Sequence, residues 1–417
     1  MTELDIWLYG EVVGRLSSQR ANHLRFDASE GATVRWGNGS NILSVSMPFS
    51  SELRPPANVL RAFFNGLLPE GNARNALIRR YNLRPRDIIG LLRELGEDCA
   101  GAVMALEVGR EPPQQPWTYK ALSQSDLGAM IDRLPTSPLG IPPPGQAITR
   151  KSLAGVQAKL LLSRLPSGEW AYSTDGAPST HILKPEEIDY PGGASNEAWC
   201  MRLAKSCGLT TVDSEVIHVG DLAVFCVSRY DRHPTDGRIE RIHQEDACQA
   251  LGIETFNTRE KYGSYNTKRM TLRAIANILR IHAPAERLAL LTHTAFHVAI
   301  GNADAHGKNH SLLHLPDGTI RLAPMYDAWS TIQYPELSRV LSLSIDKTFQ
   351  LDAVTMSRLI NEGTTWGLPV GDVTAAVYRV IEDLDSAFAD ESLRLGLDIS
   401  VEVVDGLQKR CASLLGH

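Results

Sequence analysis

No stretch of this 417-residue chain approaches the ~18 uninterrupted apolar residues of a membrane-spanning helix. The opening residues, Met1-Thr-Glu-Leu-Asp-Ile-Trp7, have neither the basic run nor the apolar run of a secretory leader. A cytoplasmic protein without a membrane partner is the expectation. Cysteine is sparse. Cys99, Cys200, Cys207, Cys226, Cys248 and Cys411 are scattered and no two form a C-x-x-C pair. Cys200, Cys207 and Cys226 sit in apolar runs and read as core residues, not as bridges or metal ligands. There is no basic excess: 42 Lys and Arg face 48 Asp and Glu, a net charge of −6. The overall field therefore does not draw the chain to nucleic acid, and any DNA contact is expected indirectly, through a partner. Internal repeats and low-complexity runs are also missing.

What remains is ordinary globular composition, 43% hydrophobic and 22% charged, with length for two or three subdomains. Residues 1–110 read as one unit. It opens with a hairpin, Ile6 to Tyr9 and Glu11 to Leu16 about a Tyr9-Gly10 turn, and continues with a strand over Leu43 to Pro48. Helical spacing then covers Asn58 to Leu67 and Arg86 to Leu95, and strand returns over Cys99 to Val108. Residues 111–150 form a proline-rich connection, with five prolines between Pro135 and Gly145.

Residues 151–242 are mostly strand. Lys159 to Leu165, Glu169 to Ser173, a strand ending His181-Ile-Leu-Lys-Pro185, Val212 to Val219 and Leu222 to Val227 surround one helix, Ser195 to Cys207, capped by Ser195. Residues 243–417 turn helical: Leu272, Ile275, Leu279 and His282 share a face, as do Leu288, Leu291, Ala295 and Val298. A single hairpin, His310 to Leu315 and Thr319 to Pro324, interrupts them. A β-rich lobe followed by a helical lobe predicts an α+β, protein-kinase-like bilobal fold with an added N-terminal β-rich subdomain.

Phosphoryl transfer needs a carboxylate near the attacking hydroxyl, Mg²⁺ ligands, a cation on the phosphates and a backbone cradle. Gly301-Asn-Ala-Asp-Ala-His-Gly-Lys-Asn309 follows a helix and ends at a strand. Asp304 and Asn309 have the D-x-x-x-x-N spacing of a kinase catalytic loop, and Asp327 follows the hairpin as the second metal ligand in Met325-Tyr326-Asp327. Turn caps alone would not place Asp, His, Lys and Asn within six residues. Gly301 and Gly307-Lys308 imitate a phosphate-binding P-loop, but five residues separate the glycines and Asn309 replaces Ser/Thr. Upstream, Lys184 ends a strand and Glu197 lies on the following helix, the order of the kinase Lys–Glu ion pair. No G-x-G-x-x-G precedes Lys184. The small-residue turn Ser152-Leu-Ala-Gly-Val-Gln-Ala-Lys159 is the candidate cradle, where Ala154 and Gly155 let backbone N–H groups approach phosphate. His293 and His297 are spaced i, i+4 without the glutamate of H-E-x-x-H and read as core.

Taken in order, Phe63-Phe-Asn-Gly-Leu-Leu-Pro69, Leu95 to Val103, Ser152 to Lys159, His181 to Lys184, Asn196-Glu197, Arg229-Tyr-Asp231, Gln244 to Gln249, Asp304 to Asn309 and Tyr326-Asp327 resemble the HipA toxin kinases over nearly the whole chain. The resemblance implies a serine/threonine kinase using ATP and Mg²⁺, with an aminoacyl-tRNA synthetase such as glutamyl-tRNA synthetase as substrate. It implies a HipB-like helix-turn-helix antitoxin as partner. It makes Asp304 the catalytic aspartate and gives Mg²⁺ to Asn309 and Asp327. ATP contacts fall to Ala154, Gly155, Val156, Gln157, Ala158, Lys159 and Lys184, to the hinge Ser228, Arg229 and Tyr230, and to His306, Gly307, Lys308 and Tyr326. Ser152 becomes an autophosphorylation site that switches the enzyme off. Ser228 and Ala158 depart from the pattern, standing where a glutamate is found. A catalytically silent subunit of a repressor complex, or a small-molecule or lipid phosphotransferase, could carry the same fold; intact Asp304, Asn309 and Asp327 speak against the first and the N-terminal unit against the second.

Overall fold

The computed structural model describes residues 2–18, 23–50, 53–114, 116–141, 151–174, 176–235, 238–265 and 269–416. They divide into two compact units. The first comprises 1–185, 228–258 and 312–320, the second 186–227, 259–311 and 321–417.

In the first unit the strands Thr2–Leu8, Glu11–Ser18, Leu24–Ala28 and Met104–Glu107 form an antiparallel sheet in the order third, second, first, fourth. The pairing runs from Thr2 opposite Ser18 to Leu8 opposite Glu11, with an irregularity between Ile6 and Trp7. Tyr9 and Gly10 close it with φ of 50° and 82°, the two left-handed positions of a type I′ turn. Alternation points Leu4, Ile6 and Leu8 inward, each with no exposed surface. They share a core with Phe63 and Phe64 of the helix Ala57–Gly66 and Leu91, Leu92 and Leu95 of the helix Ile88–Leu95.

The expected strand over 43–48 does not form, because side chains take its backbone groups. Val45 N–H donates to Glu245 Oε1 (2.8 Å), and Leu43 O lies 2.8 Å from His243 Nε2. A pleated ladder has nothing left to pair with there. The expected proline-rich connection also carries regular structure: a strand Tyr119–Ala121 pairs with Trp170–Ser173, and a helix Gln124–Asp132 starts in a Ser123/Asp126 capping box. Residues 142–150 of that stretch lie outside the described residues. The strands Leu160–Arg164, Trp170–Ser173 and His181–Pro185 form as expected and pair antiparallel about the first of them.

In the second unit the hairpin Ser214–Val219/Leu222–Ser228 and the helix Gly193–Ser206 precede a helical body. That helix begins two residues before the expected Ser195, after Gly192, and Ser195 Oγ instead accepts Asp398 N–H at 3.0 Å. Leu272–His282 is capped by Thr271 and buries Leu272, Ile275 and Leu279. Arg287–Ala299 is buried nearly all round in its second half, so its apolar face is wider than an i, i+3, i+4 stripe. The long helix Val370–Phe388 packs against it and buries Val373, Val377, Val380, Ile381 and Leu384. A second strand pair, Val340–Ile345 with Thr348–Gln350, breaks the expected run of C-terminal helices. Its turn residues Asp346 and Lys347 are left-handed without glycine or asparagine, so the usual hairpin signal is missing. Among the described residues no helix is long and apolar enough to cross a membrane.

Candidate active site

The catalytic-loop residues gather in the second unit. Helix Arg287–Ala299 ends in a Schellman motif: Gly301 N–H donates to Val298 O (3.1 Å) and Asn302 N–H to His297 O (2.8 Å). Gly301 is left-handed at φ 71°, and a Cβ on it would stand 2.5 Å from Ile332. The chain turns sharply here and sends Asp304 out of the buried helix. Ala303 is held on both sides, by Thr331 Oγ1 on its N–H (2.9 Å) and by Ser342 N–H on its carbonyl (2.8 Å).

Asn309 folds back across the loop. Its Oδ1 accepts His306 N–H at 3.0 Å, and its Nδ2 donates to Asp327 Oδ2 at 2.7 Å. Asp327 occupies the left-handed region at φ 57°, unusual for a residue with a side chain and a mark of a position held by its surroundings. Tyr326 Oη donates to Lys308 O at 2.6 Å and lies 2.6 Å from Ser311 Oγ. Thus Asp304, His306, Gly307, Lys308, Asn309, Tyr326 and Asp327 form one connected cluster within this unit.

The Asp304 carboxyl is pushed up to about 6, chiefly by burial, against the pull of Lys261 and with a further push from Asp327; hydrogen bonds from Tyr262 and Ser342 favour its charged form. Lys261 is 6% exposed, and the Tyr262 ring meets His306 edge-on at 5.4 Å. Lys261, Tyr262 and Ser342 did not emerge from the sequence. Below the loop, burial holds His293 and His310 neutral, at about 3 and about 4, and drives His297 well below its ordinary value. Asn196 beside Glu197 ties its helix to the segment after Asp327: Nδ2 donates to Ser330 O (2.9 Å) and Oδ1 accepts Ser330 N–H (2.8 Å).

The remaining candidates lie in the first unit. Lys184 is on the strand His181–Pro185, so it and Glu197 belong to different units. In the Ser152–Lys159 turn, Gly155 has φ 115°, and a Cβ there would fall 2.4 Å from Lys159 Nζ, which donates to Ala154 O at 3.0 Å. Val156 is 51% exposed. Ser152 is fully buried; its Oγ donates to Leu67 O at 2.5 Å and its N–H to Asp98 O at 2.9 Å. The expected hinge is partly occupied by structure. Arg229 Nε donates to Asp231 Oδ1 (2.9 Å), its NH1 to Ser179 Oγ (2.8 Å), and its backbone N–H to Thr180 O (2.9 Å). Tyr230 Oη hydrogen bonds to Gln244 Oε1.

Comparison with known proteins bears on this arrangement as a whole. The HipA N-terminal domain model matches residues 4–106 and the HipA-like C-terminal domain model residues 151–388. The chain belongs to the HipA family. The Sinorhizobium fredii protein Y4mE is 35% identical to it over 93% of this chain and 94% of its own length. The serine/threonine-protein kinase toxin HipA of Shewanella oneidensis is 29% identical over 89% of this chain and 87% of its own. HipA in the Shewanella oneidensis complex with HipB and operator DNA superposes with a TM-score of 0.82 at 26% identity, covering 99% of this chain and 97% of that one. The fold is the α+β kinase-like fold of that family, and the chain is a HipA-type serine/threonine kinase.

Three of the family motifs outside the catalytic loop are ties inside the first unit. In Gln244 to Gln249, Glu245 accepts from Ser44 Oγ (2.6 Å), while Gln249 Nε2 donates to Phe63 O (2.8 Å). Asp98 and Asp231, from two further motifs, meet Arg229 and Arg232 in a buried charge cluster.

Proposed function

We propose that this kinase transfers the ATP γ-phosphate to a serine or threonine of a protein, with Asp304 as the group that accepts the hydroxyl proton. The observation that carries the reading is the Asn309–Asp327 contact of 2.7 Å beside an Asp304 carboxylate whose proton affinity is raised. An amide and a carboxylate this close are a hard oxygen donor set suited to Mg²⁺, which takes one or two side-chain oxygens and completes its shell with water and phosphate. When bound, Mg²⁺-ATP supplies the phosphoryl group and its charge neutralisation. On this chain's side, the Asn309 side-chain oxygen and the Asp327 carboxylate would hold the cation. Lys184 and the Ala154–Lys159 turn hold phosphate, and Ser228 to Tyr230 contact the adenine by backbone groups. His306, Gly307, Lys308 and Tyr326 line the catalytic-loop side.

Asp304 works only when ionised. The rate therefore falls about tenfold per pH unit on the acid side as the carboxyl protonates, with an inflection at or just below the value of about 6. A cation held by Asp327 would offset that residue's share of the rise. A kcat profile flat from pH 7 to 5 would show that another group takes the proton.

The target is an aminoacyl-tRNA synthetase such as glutamyl-tRNA synthetase, the partner a HipB-like helix-turn-helix antitoxin that brings the complex to DNA, and the compartment the cytoplasm. The HipA–HipB–operator assembly of the Shewanella relative supports the partner. Labelled ATP with the purified chain and a purified synthetase tests the first; absence of label on the synthetase removes that target. No label on any lysate protein would favour a silent repressor subunit. Ser152 is the self-modification site. A phosphate adds about −2 charge and does not fit where Oγ sits 2.5 Å from Leu67 O with no exposed surface. Its phosphorylation must expel the turn. Mass spectrometry should find phosphate on Ser152, and hydrogen exchange over 152–158 should rise with it. Equal self-labelling in Ser152→Ala would place the phosphate elsewhere.

A further inference from the structure

We infer that Asn302 and His297 are a positioning pair that aims Asp304, a function resting on the kinase reading above. Asn302 is 1% exposed and makes three contacts that each use a different group. Its backbone N–H closes the Schellman motif on His297 O at 2.8 Å. Its Oδ1 accepts the Asp304 backbone N–H at 2.9 Å. Its Nδ2 lies 3.1 Å from His297 Nδ1.

The last two contacts are coupled through the amide's direction. An Asn side chain offers a donor at one end and an acceptor at the other, and only one orientation serves a given pair of neighbours. Asp304 N–H requires the oxygen, so the NH₂ must face His297, and His297 must present a lone pair at Nδ1. A protonated imidazole has none. Burial, with His310 and His293 alongside, keeps His297 neutral, so the lone pair is available. The tautomer of His297 thus fixes the amide of Asn302, and the amide fixes the backbone of Asp304. His297 is 4% exposed on the interior helix Arg287–Ala299, which makes the pair a rigid link from the core to the reacting carboxylate. The same helix end supplies the other loop anchors through Gly301 and Thr331, so aim is the specific contribution of Asn302.

Two substitutions at one position separate aim from packing. His297→Asn keeps an acceptor oxygen where Nδ1 was but removes volume; His297→Leu keeps volume and apolar contact but has no acceptor. A packing role ranks Leu above Asn in activity, as it does in thermal stability. Positioning reverses that order for catalysis alone. Phosphate transfer from labelled Mg²⁺-ATP to the chain and to lysate proteins should fall on the order of 10- to 100-fold in His297→Leu, the scale of an ~1 Å misplacement. It should stay within about threefold of wild type in His297→Asn, with nucleotide affinity similar in both. Asn302→Ala should match the Leu variant, and Asn302→Ala combined with His297→Leu should lose no more than either alone. Leu as active as Asn, or additive losses in the double variant, would overturn the pair while leaving the kinase reading intact. If a His297 variant fails to fold, Asn302→Ala decides alone: wild-type turnover there overturns the inference. A wild-type chain that labels nothing overturns both.

Discussion

Asp304→Asn is expected to lower phosphate transfer by about 10²- to 10⁴-fold, the scale of a lost general base, and to raise thermal stability at neutral pH. The first half follows from the chemistry. An amide of the same shape keeps the Asn302 contact on the backbone N–H, yet has no basic oxygen for the substrate proton. The second half follows from the electrostatics. The unfolded carboxyl titrates near 3.8, the folded one near 6, so the native state binds the proton more tightly. Folding is then favoured by low pH, and ionisation above 6 works against it. Removing the charge recovers roughly 2 kcal/mol, discounted for the partial exposure of the group. Labelled-ATP transfer with Mg²⁺ present, and thermal melts at pH 7 in its absence, check the two halves. Loss of activity with a lowered melting temperature would mean that Asp304 is a structural anchor, and unchanged activity would remove it as the base. A gain in stability with a loss of rate is what a strained catalytic group gives up when silenced.

The catalytic loop was legible because its information is local. Asp304 and Asn309 are five residues apart and His306 N–H closes the turn between them, so spacing implies geometry. Asp327 was legible because a short hairpin with a Pro-Asp-Gly turn brings the chain back predictably. Lys261 and Tyr262 were not. Lys261 ends a four-residue 3₁₀ turn with no periodic pattern and Tyr262 follows it, and only tertiary packing brings their charge and hydroxyl to Asp304. Ser342 sits on the strand pair whose Asp346-Lys347 turn carries no glycine or asparagine. The strand misread over 43–48 has a similar origin. Its alternation was genuine, but Glu245 and His243, some 200 residues away, offered its backbone better partners than another strand. Alternation reports which side chains are buried and does not report who binds the backbone.

The same limit hides the residue with the largest expected effect on stability. Asp98 was visible only as a letter in a family motif, yet it has no exposed surface and its carboxylate is central to the first unit. Oδ1 accepts Arg232 NH2 at 2.9 Å, and Arg229 NH1 lies 3.6 Å away. Oδ2 accepts both Ser179 N–H (3.0 Å) and Ser179 Oγ–H (2.6 Å). Asp231 completes the cluster, its carboxyl held down at about 2 by Arg229 and Arg232 against the cost of burial. Asp98 is depressed further still by Arg229, Arg232 and Arg241. Asp98→Asn leaves two buried guanidinium groups with one carboxylate between them, and should cost about 3–5 kcal/mol, the range for breaking one side of a buried pair. Because Asp98 O also receives Ser152 N–H, the loss should loosen the Ser152 turn first, seen as faster hydrogen exchange over 151–158 before global melting. Acid should act on the wild type in the same sense. Depressed carboxylates stabilise above their unfolded pKa of ~3.9 and lose that contribution as pH falls toward about 2, so the wild type should lose stability steeply between pH 4 and 2 and the variant less so. Equal acid sensitivity in both, measured by denaturant midpoints across that window, would mean that these carboxylates do not set the acid limit of the fold.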